Sequence, residues 1–530
     1  MDSIKVERLR CLGDTGYIQL KPITVLLGQN SSGKSSFLRI LPLLKQSLES
    51  RTTGPILWSG RLVDFGNFED AHQTGAEDNI EFSFNFKLQS RKFPSTREFY
   101  YFLFSGEANI LNTFPITLTL QVSENKKKET TRTSGIFLQL EDSKIQLDFR
   151  EDDSVTNFLV NSFNVLTLGN KYVTRKFDRS LLLPTITESD PKKEYDFEKL
   201  SSLSPGIIRY RSRFRALFQA LIDKTQETAH HATKLETIIQ MALSFGLGNS
   251  ENMLKDIQEN NFAGKSWKDK TKNWTVETKD FKELRDLIIA NAIPFILEKC
   301  DDTLANFSKN ISYIGPVRAR AERYYRTQDL AADEVDYEGN NLAMFLRNLT
   351  DSEMENFSTW TLDNFGFKPS ITSSLGHISV KICSKNSDKD LNVADTGFGF
   401  SQILPVITQL WLLSSFRRVN RGTITYAIEQ PELHLHPRLQ GTLTDALVKS
   451  IKAAKEKKIQ LCLMIETHSE VLVNRLGQLV AEGKISPDQI NIVLFEPSDK
   501  LGEVTIRNAQ FDSDGYLLNW PLGFFEMELV

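Results

Sequence analysis

One octapeptide constrains this chain more than anything else in it: Gly28-Gln-Asn-Ser-Ser-Gly33-Lys34-Ser35. It fits the pattern GxxxxGK[ST], and its surroundings are those the pattern needs. An apolar run, Ile23–Leu27, precedes it as a strand, and Ser35–Leu44 follows as a helix. Glycines let such a loop turn tightly, so that its backbone N–H groups face a ligand's phosphates beside the positive end of a helix. Lys34 is placed to reach the β- and γ-phosphates, and the Ser35 hydroxyl to ligate Mg²⁺. The candidate phosphate cradle is therefore Gly28, Asn30, Ser31, Ser32, Gly33, Lys34, Ser35 and Ser36, with ATP and Mg²⁺ as the expected cofactors.

A phosphate loop alone does not fix a class, and the later motifs narrow it. Thr423-Ile-Thr-Tyr-Ala-Ile-Glu429-Gln430-Pro431-Glu432 is an apolar strand ending in acids. Glu429 is the expected acid that holds Mg²⁺ through water, making Ser35 and Glu429 the candidate metal residues. Leu463-Met-Ile-Glu466-Thr467-His468-Ser469 is a second such strand, and His468 is a candidate γ-phosphate contact. Asp395-Thr-Gly397-Phe-Gly399-Phe-Ser401-Gln402 precedes an apolar helix expected over Ile403–Leu413, with Pro405 in its first turn. A glycine-rich turn with serine at a helix start makes a second anion site, so Gly397, Gly399, Ser401 and Gln402 join the candidate nucleotide contacts.

The order of phosphate loop, long insert, glycine-rich signature, acidic strand and histidine strand resembles the ABC/SMC group of ATPases. That resemblance implies that the loop of one subunit and the signature turn of another sandwich one ATP. It also implies a glutamate after the strand-end acid, acting as general base. Here that position is Gln430, and an amide cannot accept the proton, a loss on the order of 10²–10⁴ in rate. Either Glu432 or another carboxylate takes over, or ATP is held as a clamp and turned over slowly. The adopted reading is slow turnover, with Glu429, Gln430, Glu432 and His468 as the catalytic set. His434 and His436 stand two apart beside acids, a spacing that points two rings of one helix away from each other rather than at a shared metal.

Chain organisation follows from where the pattern changes. Residues 1–154 read as the first part of an ATPase head, containing the phosphate loop and then alternating segments such as NIEFSFNFKL, EFYYFLFSG and IFLQLEDSKIQLDF, an antiparallel β lobe. Residues 155–305 read as a more polar helical insert, and 306–530 as the rest of the head, with strands at ISYIGPVR, HISVKI, TITYAIEQ, LCLMIETHS, INIVLFEP and EVTIRN. The fold class expected is α/β: an ABC-type P-loop ATPase head with an antiparallel β lobe and an inserted helical module.

Composition excludes some classes. A net charge of −4 leaves no global basic signature for nucleic acid, so any such surface is a local patch. Arg209, Arg211, Arg213 and Arg215 form one candidate, Arg318, Arg320, Arg323 and Arg326 another. Lys126–Lys128 read as a hairpin tip, and Asp64–Gln73 as a lid in which His72 or Gln73 senses the γ-phosphate. No apolar run reaches the roughly 20 residues of a membrane span, the start lacks a signal-peptide core, and the four separated cysteines suit a reducing cytoplasm. No membrane partner is expected. After His468 the chain is shorter than the roughly 100 residues a separate nuclease domain needs, so DNA cleavage by this chain is not expected.

More specifically, Glu429-Gln-Pro-Glu-Leu-His434-Leu-His436-Pro437, with GFGFSQILP upstream and ETHSE downstream, resembles the AAA/ABC-type ATPases of bacterial anti-phage defence. The chain is most similar to the Septu ATPase (PtuA) family in its retron-associated form, and the segments Tyr313–Arg320 and Asn519–Phe525 share that likeness. The resemblance covers both α/β ends and not the helical middle. It implies ATP binding, a homodimer or higher homo-oligomer, and a PtuB-like HNH nuclease partner. In the retron form it implies also a reverse transcriptase with its DNA product. Two other readings stand beside it: an SMC-like DNA-repair ATPase that clamps DNA, and a nucleotide-binding scaffold without turnover.

Overall fold

The computed structural model describes residues 1–89, 113–126, 129–175, 182–189, 214–329, 331–385, 389–415, 422–498 and 504–520. Arg209, Arg211, Arg213, Lys127, Lys128, the segment EFYYFLFSG and the end from Pro521 lie outside them, as does the side chain of Arg215. The fold is mixed α/β with an antiparallel β lobe and a helical module, and the chain divides into two compact units.

The first unit takes Met1–Ile4, Ser47–Leu57 and Glu77–Ala305. Its β lobe is built as the alternation of its sequence dictates. Ile80, Phe82, Phe84 and Phe86 alternate inward along the Ile80–Gln89 strand, which pairs antiparallel with Thr113–Asn125. That strand pairs with Thr130–Leu140, which pairs with Ser143–Phe149, which pairs with Val155–Val160. Strand structure runs on through Tyr172–Arg175 and Thr185–Glu188. The helical part therefore starts later than position 155: its described helices begin at Arg215 and end with the 31-residue helix Lys279–Lys309. The reason is local. VTNFLV buries Val155, Phe158 and Val160 and so extends the lobe by one more strand.

The second unit takes Lys5–Gln46, Trp58–Ala76 and Asn306–Val530. Its centre is a sheet in the order Ile311–Ile314, Thr423–Glu429, Gln460–Glu466, Ile23–Gly28, Ile490–Pro497, Val504–Phe511 and Leu517–Leu518. The first five strands are parallel and the last two antiparallel. Parallel strands are covered on both faces and read as unbroken apolar runs; Ile23–Gly28 is buried at every residue. The helices Phe398–Ser414, Pro437–Glu456 and Glu470–Ala481 contribute to the same core. A smaller antiparallel sheet, Phe367–Ser374 with His377–Ser384, packs its apolar side there too. All the strand ends that matter for chemistry leave the sheet at its carboxyl edge, where open α/β sheets hold their ligands. Among the described residues no helix is long and apolar enough to cross a membrane.

Candidate functional site

The loop after the central strand Ile23–Gly28 has the conformation its glycines permit. Gly28 sits at φ 155°, where a Cβ would run into the Phe495 carbonyl and the Ser32 hydroxyl. Gly33 sits at φ 89°, and its Cβ would lie 2.6 Å from Leu12 and 2.9 Å from the Cys11 sulfur. Any side chain at either position is both strained and obstructed. Gln29, Asn30 and Ser31 are exposed at the tip, with Ser31 at φ 63°, while Ser32, Gly33, Lys34 and Ser36 are buried. The ammonium of Lys34 turns back onto the loop. It donates to the carbonyls of Gly28 at 3.0 Å and Gln29 at 2.5 Å. Burial pushes the Lys34 pKa down, against the pull of Glu466 and Glu432.

The carboxylates around this loop are arranged differently from the sequence expectation. The strands Thr423–Glu429 and Gln460–Glu466 pair in parallel with Glu429 directly opposite Glu466. The Ser35 hydroxyl donates to Glu466 Oε1 at 2.7 Å. Both oxygens of Glu429 are engaged by Arg39, whose Nε and Nη2 donate at 2.7 and 2.8 Å, and the Tyr313 hydroxyl adds a third bond at 2.6 Å. Arg39 is available because it caps the short helix Lys34–Leu38, one turn beyond the phosphate loop. The carboxylate that meets Ser35 is thus Glu466, which sequence reading passed over. Its other oxygen, Oε2, is buried without a partner, and burial pushes its pKa up to about 7. A serine hydroxyl beside a carboxylate with a free oxygen is the donor set Mg²⁺ takes together with a nucleotide's phosphates, so the residues fit that cation with Glu466 in place.

After Glu429 the chain makes a tight turn. Gln430 adopts φ 43°, its N–H donates to the Glu466 carbonyl at 2.8 Å, and its own carbonyl receives Leu433 N–H. Glu432 follows, with Oε1 accepting the His468 backbone N–H at 2.8 Å and Oε2 buried without a partner. Burial raises its pKa, opposed by that N–H, by the Thr467 hydroxyl and, least, by the Arg318 charge. The His468 ring is exposed, and its pKa is lowered by burial of its inner part and by nearby Lys34. His436 caps the helix Pro437–Glu456, accepting from Arg438 N–H, and the His434 ring lies 5.9 Å from that of Phe398. Among the described residues no group of three or more His, Cys, Asp or Glu side chains could hold a metal ion.

The glycine-rich turn also differs in detail. The helix starts at Phe398, with Gly397 at φ 83° as its cap, five residues before the expected Ile403. Gly399 is inside the first turn. Ser401 lies in the second turn, 6% exposed, with its hydroxyl donating to the Phe398 carbonyl at 2.8 Å. Gln402 is buried and donates to the Arg318 carbonyl. Pro405 is accordingly in the helix interior, where it packs against Gly339. Neither Ser401 nor Gln402 presents a side chain to solvent. The outward donors at this helix start are the backbone N–H groups of its first turn, which have no intrahelical acceptor. In the lid segment, Asn67 and Asp70 form a capping box for the short helix Phe68–Ala71, and the His72 ring stacks on Phe68. Gln73 N–H bonds the Arg8 carbonyl.

No curated protein matches the sequence. Among solved structures, the chain is similar to the SMC head domain from Thermotoga maritima at 8% identity, over 96% of this chain and 97% of that one, with a TM-score of 0.29. That likeness is too low to carry an argument. The sequence profile described as AAA ATPase domain matches residues 1–473, most of the chain, including the strand ends at Gly28, Glu429 and Glu466. By that match the chain belongs to the AAA ATPase domain family.

Proposed function

We propose that this protein binds ATP with Mg²⁺ at the Gly28–Ser36 loop, hydrolyses it slowly, and pairs with a second copy around the nucleotide. The observation that carries this is the convergence of Lys34, Ser35, Glu466 and Glu432 at the loop, with Gln430 at the position of the usual base. Lys34 leaves its loop carbonyls to meet the β- and γ-phosphates. Ser35 and Glu466 would hold the cation, which would neutralise phosphate charge; Glu429, tied to Arg39 and Tyr313, shapes the site from behind. His468, beside Lys34, faces the γ-phosphate. Glu432 is the base: its free Oε2 takes a proton from water as the water oxygen bonds the γ-phosphorus and the bond to ADP breaks. A carboxylate poised by burial suits that role. The first-turn N–H groups at Gly397–Phe400 supply the surface that meets the second copy's nucleotide.

The finer setting is a defence ATPase of the retron-associated Septu kind, in the cytoplasm, that assembles or controls an HNH nuclease partner and works beside a reverse transcriptase and its DNA. The support is the run of segments GFGFSQILP, Glu429–Pro437 and ETHSE. Phosphate release by wild type, Gln430→Glu and Glu432→Gln tests the chemistry. Wild-type turnover should fall well below the ~10 s⁻¹ of a median enzyme, Gln430→Glu should raise it, and Glu432→Gln should lower it by roughly 10²–10⁴. An unchanged rate in Glu432→Gln would remove Glu432 from the mechanism.

A further inference from the structure

Arg318 is only 4% exposed. Its Nη2 donates to the carbonyls of Glu429 at 2.7 Å and Gln430 at 3.3 Å. Its Nε and Nη1 are buried and meet no acceptor. A buried donor without a partner costs about 1–3 kcal/mol, more when charged, so two on one guanidinium call for an explanation. The complementary vacancy is nearby. Glu432 Oε2 is also buried without a partner, and the two side chains attract each other across the turn they share. The same guanidinium therefore clamps the Glu429–Gln430 peptides, where the backbone is forced to φ 43°, and its charge acts on the Glu432 carboxylate of that turn without a hydrogen bond or ion pair between them.

We propose that Arg318 is the positioning residue for Glu432: by holding the Glu429 and Gln430 carbonyls through one nitrogen it fixes the turn that presents the Glu432 carboxylate, allowing a base at position 432 to replace the glutamate missing at 430. Arg318 touches no nucleotide and acts only through this turn. The inference rests on Glu432 being the base.

A double-mutant cycle separates the two claims. Turnover, ATP affinity by calorimetry and the thermal midpoint are measured for wild type, Arg318→Gln, Glu432→Gln and the double variant. Residues linked through a shared backbone turn couple by about 0.5–3 kcal/mol, or about 2- to 160-fold, so Arg318→Gln should lower kcat by an amount in that range, roughly 10-fold, while ATP affinity stays within about threefold. In the Glu432→Gln background the same change should cost less than about threefold. Multiplying losses would overturn the positioning role while leaving Glu432 as the base. A parallel loss of ATP affinity would overturn it as well. A silent Glu432→Gln would bring down both readings. Should Arg318→Gln lose its folding transition, Arg318→Lys runs through the same cycle: a loss of turnover that vanishes beside Glu432→Gln supports the role, and a loss that persists overturns it.

Discussion

Replacing Arg39 with methionine should destabilise the second unit by an amount that can be worked out from its contacts. Glu429 is 1% exposed and Arg39 29%, and two bonds of 2.7 and 2.8 Å join them. Removing one partner of such a pair strands a buried charge, at about 3–5 kcal/mol. The low end applies because water reaches Arg39 and because the Tyr313 hydroxyl still donates to Glu429. Folding units of this size lose about 2 °C of midpoint per kcal/mol, so ~3 kcal/mol is roughly a 6 °C drop. Scanning calorimetry of the nucleotide-free protein reads it. Arg39→Met combined with Glu429→Gln should recover much of the loss, since the amide carries no charge and keeps the Tyr313 bond. A midpoint within about 1 °C of wild type for Arg39→Met would refute the reasoning, as would a double variant that loses the sum of both single changes.

Lys34→Ala should abolish ATP binding, because it removes the cation placed for the β- and γ-phosphates; unchanged affinity by calorimetry would end the phosphate-loop assignment. Asp301, in the first unit, accepts the backbone N–H groups of Leu182 and Leu183, yet burial holds its pKa up at about 6, above its ordinary 3.8. The folded state thus binds the proton more tightly than the unfolded one. That contribution is complete below pH ~4 and lost as pH rises through about 6, worth up to roughly 3 kcal/mol at 1.36 kcal/mol per pKa unit. Asp301→Asn should flatten the wild type's decline in stability between pH 4 and 6 in denaturant titrations, and an identical pH profile in both proteins would contradict this.

The phosphate loop was legible because its motif is short-range physics: two glycines, a strand before and a helix after. The strand ends at Glu429 and Glu466 were legible as apolar runs stopped by acid. Which glutamate meets Ser35 was not, because that depends on the order of parallel strands, and strand order is set by tertiary pairing. Arg39 was equally opaque, since an arginine one turn past the loop reads as a solvated charge until the Glu429 strand is laid beside it. The Gly397 helix starts early because packing of Ile403–Leu413 carries the first turn with it, overriding the roughly 1 kcal/mol that glycine costs inside a helix. Ser401 moved from candidate ligand to internal hydrogen bond for the same reason. At 155, VTNFLV is too short to separate a buried strand from a helix by periodicity.

The position of Ile23–Gly28 in the middle of its sheet bears on biosynthesis. This strand leaves the ribosome long before its neighbours, Gln460–Glu466 and Ile490–Pro497. Ser35 waits 431 residues for Glu466. At about 5–20 residues per second that is roughly 20–90 s during which an apolar strand has no partner. The β lobe pairs hairpin by hairpin and can close during this interval; the nucleotide-binding unit cannot. Chaperone demand should therefore fall on the nascent Ile23–Gly28 strand, and a truncated product ending before residue 460 should aggregate through it even though it carries the whole phosphate loop.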